Sequence, residues 1–124
     1  MNTKGGYTRN DPSFEKSVKL AHKVYDLLPK FPKNEQYGIC SQLRRSVTSV
    51  SANLVEGRAR RKGKVFLYHL EIAYGSLMET KFFLYFSCQR NFITTAEYTD
   101  CWNTLDQTGA LLWKSIKNLE KTIN

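Results

Sequence analysis

The residues with the most evident chemistry form a run of cations. In "GRARRKGK", residues 57 to 64, Arg58, Arg60, Arg61, Lys62 and Lys64 stand within one short stretch. Like charges so close repel one another, and only water and salt make the crowding tolerable at a surface. A polyanion would remove that repulsion and release its own counterions. Arg44 lies within about 40° of Arg58 on a helical wheel, and Arg45 adjoins it, so the basic surface extends along the preceding segment. Arg44, Arg45, Arg58, Arg60, Arg61, Lys62 and Lys64 are therefore the candidate nucleic-acid-binding residues. Such a patch holds phosphates and reads no bases.

Other chemistries fail on residue type or spacing. Gly57 and Gly63-Lys64 approach a phosphate-binding loop, but five residues separate the glycines instead of four, Val65 replaces the Ser/Thr, and no strand precedes them. Di-iron bundles need Glu-x-x-His on two helices, whereas Lys19 and Phe66 stand three before His22 and His69. Cys40, Cys88 and Cys101 include no C-x-x-C pair, and two histidines make no standard zinc site without them. No Ser-His-Asp set accompanies a nucleophile elbow. Glu56, Glu71 and Glu79 remain unassigned carboxylates, and the expectation is a protein with no catalytic residue, no metal and no cofactor.

The charge is unevenly placed. Residues 1–64 carry 14 Lys/Arg against 5 Asp/Glu, while residues 65–124 carry 5 against 6, so the overall +8 belongs to the first half. That asymmetry favours a local anionic partner over a uniformly sticky surface. The N-terminus lacks the apolar core of a signal peptide, and no apolar run approaches the roughly 20 residues of a membrane span. Three cysteines are too few for a disulfide framework, and free thiols suit the cytoplasm.

The elements that must carry the basic run are helices. Residues 1–10 read as a flexible polar tail, and 11–124 as one domain. Asp11-Pro12 supplies an N-cap and a first-turn proline, after which Phe14, Val18, Ala21, Tyr25 and Leu28 recur at helical spacing until "PKFP". Asn34 is the expected cap of a second helix, with Cys40, Leu43, Val47, Val50 and Leu54 as a seam running to Gly57. A third helix, from about Lys64 to Asn91, presents Phe66, Leu70, Ala73, Leu77 and Leu84 on one face. Thr94 and Glu97 form a capping box that opens a fourth, with Cys101, Leu105, Leu112, Ile116, Leu119 and Ile123 as its seam. The simplest fold is all-α, an antiparallel up-down-up-down four-helix bundle.

Two further patterns bear on assembly. Tyr68, Ile72, Gly75, Phe82 and Phe86 lie nearly opposite the Leu70–Leu77 seam, and a helix apolar on two faces wants two partners. These five residues are the candidate oligomer interface. On the second helix Gln42, Ser46, Ser49, Asn53 and Glu56 form a small polar stripe, suited to close helix approach with hydrogen bonds across the contact. The alternative for Asn53 and Glu56 is a polar pocket.

The combination "FPKNEQYGICSQLRRSVTSVSANLVEGRAR" followed by "FLYHLEIAYGSLMET" resembles the small four-helix-bundle proteins encoded in intervening sequences of bacterial large-subunit ribosomal RNA genes, also labelled S23-like. The likeness covers about residues 14–120 and is most specific at Phe31-Pro32 with Glu35, Ser41-Gln42 with Arg45, the run through Ser49, Ala52-Asn53 and Glu56-Gly57, and Ala73, Gly75-Ser76-Leu77 with Glu79. It implies a bundle that is a subunit of a ring-like homopentamer with no established enzymatic activity. The fold is also similar to the accessory variability determinant of diversity-generating retroelements, a basic pentameric partner of a reverse transcriptase and its RNA. That likeness implies RNA or DNA as partner and makes a reverse transcriptase a further candidate. The basic turn is denser in charge here than the single arginine the family commonly carries. The expected function is thus a non-enzymatic, homo-oligomeric nucleic-acid-binding accessory protein; the rival is a scaffold or protein-interaction module whose basic turn serves solubility.

Overall fold

The computed structural model of the protein describes residues 11–60 and 62–123. The expected tail at 1–10 lies outside them. Four helices, α1 (Pro12–Leu27), α2 (Ile39–Arg60), α3 (Gly63–Gln89) and α4 (Thr95–Ile123), pack as a bundle in which each neighbours the next and α4 returns to α1. Cross-helix pairs establish the directions. Asp11 meets Arg58 and Ser17 meets Ser51; Ser46 meets Thr80 and Asn53 meets His69. Tyr74 meets Trp113 and Lys81 meets Trp102; Lys23 meets Asp100 and Lys30 meets Glu97. In every case one number rises as the other falls, so each neighbouring pair is antiparallel. The start of α1, the end of α2, the start of α3 and the end of α4 therefore share one end of the molecule.

Each terminus has a local cause. Asp11 Oδ1 accepts the Phe14 N–H at 3.1 Å and the Ser13 hydroxyl at 2.6 Å, capping α1 with Pro12 in its first turn. The helix gives way to a 3₁₀ turn at Leu28–Lys30, and a second follows Pro32 at Lys33–Glu35. This second turn corrects the expected start of α2. Asn34 sits inside it and caps nothing, and α2 begins at Ile39, after the Gly38 N–H has bonded to Glu35 O at 3.0 Å. The other end also differs, since α2 runs through Gly57 to Arg60. At α3's end Asn91 takes φ 64°, the Phe92 N–H reaches Ser87 O and the Asn91 N–H reaches Cys88 O, a Schellman arrangement that satisfies the last carbonyls. The capping box is formed reciprocally: the Thr94 N–H donates to Glu97 Oε1 at 2.9 Å and the Glu97 N–H to Thr94 Oγ1 at 3.1 Å. Lys30 first, and the Thr94 backbone second, hold the Glu97 carboxyl below the usual carboxylate range.

The core follows the seams expected of α2, α3 and α4, but α1 departs from its expected one. Phe14 and Leu28 are buried, Val18 and Ala21 are only half-buried and Tyr25 is exposed, because the Ser17–Ser51 contact turns the Ser17, Leu20, Val24 and Leu27 face inward. Leu20, Val24, Leu43, Val47, Val50, Leu54, Leu70, Ala73, Leu77, Leu84, Leu105 and Leu112 are all buried. The polar stripe of α2 is a ladder against α3. Ser46 Oγ lies 2.8 Å from Thr80 Oγ1, Ser76 Oγ donates to Ser49 Oγ at 2.8 Å, and Asn53 Oδ1 lies 2.9 Å from His69 Nδ1. Small side chains bring the helices together there and hydrogen-bond across the contact, so the stripe is structural. Among the described residues every buried side-chain nitrogen and oxygen has a partner.

Cys40 and Cys101 are buried and Cys88 is half-buried; all three are unpaired. Burial raises the Cys40 thiol and pushes Cys101 up to about 11. Because the thiolate is the nucleophile, iodoacetamide at mildly alkaline pH should label Cys88 first in the folded protein. Mass spectrometry should find the other two modified only after unfolding.

Candidate nucleic-acid interface

The basic run is divided between two helix ends. Arg58 and Arg60 belong to the last turn of α2, Lys62 precedes α3, and Lys64 lies in its first turn. Arg61 lies outside the described residues. Cations at the carboxyl end of α2 are favoured by the helix dipole, whereas Lys62 and Lys64 stand at an amino end where the dipole disfavours them. No side chain caps α3, and its first turn holds no acidic residue.

The seven candidate residues do not form one free basic surface. Arg44 donates to Gln36 O at 3.3 Å and to Gln36 Oε1 at 3.0 Å, tying α2 to the loop before it. Arg45 pairs with Glu79 of α3 and with Gln42 Oε1. Both lie toward the opposite end of α2 from the basic turn. The wheel angle between Arg44 and Arg58 is small, but about 21 Å of helix separates them along the axis at 1.5 Å per residue.

At the turn itself, Arg58 Nε donates to Asp11 Oδ2 at 2.8 Å. Asp11 is only 4 % exposed, so this carboxylate both caps α1 and fixes one edge of the Arg58 guanidinium. The guanidinium carbon lies 5.9 Å from the Phe66 ring centroid. Arg60 pairs with Glu56 at 2.9 Å between exposed side chains, a contact worth little in water. Lys62 and Lys64 are exposed and have no ion pair among the described residues. Four described cations thus meet two carboxylates, which leaves the turn net positive.

A buried polar cluster stands one turn away. Asn53 Nδ2 donates to Ser49 O, which leaves its Oδ1 to accept from His69 Nδ1–H. The other ring nitrogen, Nε2, faces Glu56 Oε2 at 3.9 Å. Arg60, and secondarily His69, hold the Glu56 carboxyl below its ordinary value. His69 packs here instead of lying on the surface, and no three His, Cys, Asp or Glu side chains converge as metal ligands among the described residues.

The second apolar face of α3 is laid bare as expected. Tyr68 is 60 %, Phe82 56 % and Phe86 44 % exposed, and the Phe82 and Phe86 rings stack at 6.0 Å. A Cβ placed on Gly75 would meet nothing within 4 Å. Ile72 is half-buried, and Glu79, held by Arg45, interrupts the apolar stripe.

The model of the 23S rRNA-intervening sequence protein family matches residues 10–114. The chain belongs to this family. A solved structure from Bacteroides thetaiotaomicron, described as a protein of unknown function from the S23 ribosomal protein family, superposes with a TM-score of 0.76. It is 30 % identical, over 85 % of this chain and 98 % of that one. A comparison with curated proteins finds no match. Among the described residues of this family member, no helix is long and apolar enough to cross a membrane.

Sequence reasoning missed the carboxylates that answer the basic residues. Asp11 is 47 positions from Arg58, and Glu79 is 34 from Arg45. The only sequence signal was the polar stripe of α2, which implied a register with α3 but not which acidic side chains it would deliver.

Proposed function

We propose that this protein is a non-enzymatic, self-associating nucleic-acid-binding accessory protein that holds phosphates at the turn between α2 and α3. The observation that carries the reading is the pair Lys62 and Lys64, exposed and without a carboxylate among the described residues, beside an uncapped helix amino terminus whose N–H groups favour an anion. A phosphate there would relieve an arrangement that the helix dipole penalises. Family likeness suggests a ring of five, and the bare α3 face with Tyr68, Phe82 and Phe86 supports assembly.

The test is binding of RNA and duplex DNA across a salt series. Replacing Arg58 would strand the buried Asp11 carboxylate, so the informative variant is Arg60→Ala/Lys62→Ala/Lys64→Ala with Arg58 intact. Log affinity should fall with log salt by about 0.7 to 0.9 per phosphate neutralised, and the variant should lose about two to three units of that slope. Absence of salt-sensitive binding at micromolar protein, or equal slopes for both proteins, would overturn the phosphate-holding role.

The scaffold reading draws on one observation of its own, the exposed aromatic stripe of α3. Phe82→Glu should reduce the mass seen by light scattering to that of one 14.4 kDa chain if the stripe is the subunit contact. An unchanged assembly would remove the stripe from the interface.

A further inference from the structure

The end of the bundle that carries the basic turn also holds a cleft of about 320 Å³ between α2, α3 and the last turns of α4. Its walls combine three chemistries. Phe66 and Leu119 are half-buried apolar surface, with Leu70 buried beneath them. Ser115, Asn118 and Thr122 line the α4 side. Thr122 spends its hydroxyl proton on Leu119 O at 2.9 Å, while the Ser115 hydroxyl and the Asn118 carboxamide make no hydrogen bond among the described residues. Arg58 forms the rim, and its Nε is already held by Asp11.

We infer that this cleft takes a single unstacked nucleobase, with the adjoining phosphate on the free edge of Arg58. The inference rests on the phosphate-holding reading of the turn and adds a strand preference to it. An apolar floor with an aromatic wall suits the flat face of a base. A carboxamide offers one donor and one acceptor side by side, matching the paired groups on a base edge. A guanidinium anchored at Nε keeps its two NH₂ groups for a phosphate and loses little freedom on binding. Bases inside a duplex present neither a free face nor a free edge, so the occupant is a single-stranded stretch. The ligand class shared by RNA and DNA is an unpaired nucleotide within a phosphodiester strand.

The experiment compares the native protein with Asn118→Ala and Ser115→Ala, at positions where neither side chain is buried. Each protein is titrated at one salt concentration with short single-stranded RNA, single-stranded DNA of the same sequence, the matching blunt duplex, and heparin, a polyanion without bases. Native protein should bind single strands about ten-fold more tightly than duplex, the gain of stacking one base. Asn118→Ala should lose about three- to ten-fold for single strands, the loss of a hydrogen-bonding group, and nothing for heparin. Equal affinity for single strands and duplex, or equal losses on heparin and oligonucleotides, would overturn the base site and leave the phosphate-holding turn standing. Absence of binding to all four probes would overturn both readings.

Discussion

Leu77→Ala should lower the unfolding free energy by about 3–4 kcal/mol, in the middle of the range for buried leucines. Leu77 is completely buried at the middle of α3, on the seam that includes Leu70, Ala73 and Leu84. A Cβ placed on Gly109 of α4 would lie 3.4 Å from Leu77 Cδ2, so α4 already approaches closely and its backbone packs over the leucine. Removing the side chain opens a void that neither helix can close without disturbing Leu105 and Leu112, buried at neighbouring positions of α4. Denaturant titration at fixed protein concentration should show a lower midpoint at unchanged m-value. A loss below about 1 kcal/mol would mean that the site collapses and that the α3–α4 contact is looser than described.

Gly57→Ala and Gly75→Ala make the same chemical change with opposite expected signs. Both glycines are inside helices, where alanine gains roughly 0.5–1 kcal/mol from backbone entropy. At Gly57 a Cβ would lie 2.9 Å from His69 Cβ and 2.9 Å from Phe66 Cδ1. The His69 Cβ is one bond from the α3 backbone and cannot yield unless the helices part, which would stretch the Asn53–His69 hydrogen bond. Overpacking of that kind costs about 1–3 kcal/mol, so Gly57→Ala should be destabilising by about 1–2 kcal/mol after the helix gain. Gly75 faces open space, and Gly75→Ala should stabilise the separate subunit by about 0.5–1 kcal/mol. Thermal melts across a concentration series separate the cases: a Gly75→Ala gain that disappears as the protein assembles would place Gly75 in the subunit contact. Stabilisation by Gly57→Ala would contradict the close approach of α2 and α3.

Much of the fold was legible because α1 and α4 carry their own capping chemistry and every helix has an apolar stripe at helical spacing. Asp11-Pro12 and Thr94 with Glu97 act within a single turn, so the sequence neighbours that form the cap are also its spatial neighbours. The start of α2 was misread for a related reason. Asn34 has the right side chain for a cap, but Pro32 leads the chain into a 3₁₀ turn, and the helix waits until Ile39. Gly57 reads locally as a helix stop; its lack of a side chain instead serves the packing of Phe66 and His69, which no local pattern reveals.

The candidate site was legible only as charge. Periodicity by itself determined four helices, the buried seams of α2, α3 and α4, a second apolar face on α3 and a cluster of cations where α2 meets α3, whereas on α1 it favoured a face holding the exposed Tyr25 over the buried Leu20, Val24 and Leu27. Those features depend on intervals of three or four residues, within reach of one helix turn. Tertiary structure decided which cations remain available: Asp11 and Glu79 engage Arg58 and Arg45 from other helices or their caps, Glu56 and Gln36 hold Arg60 and Arg44 locally, and Lys62 and Lys64 have no ion pair among the described residues. It also decided that Ser115 and Asn118 of α4 stand beside Arg58 and Phe66. Charge adds along a chain, but pairing depends on distance in space, and the register between antiparallel helices is set by packing of the whole core.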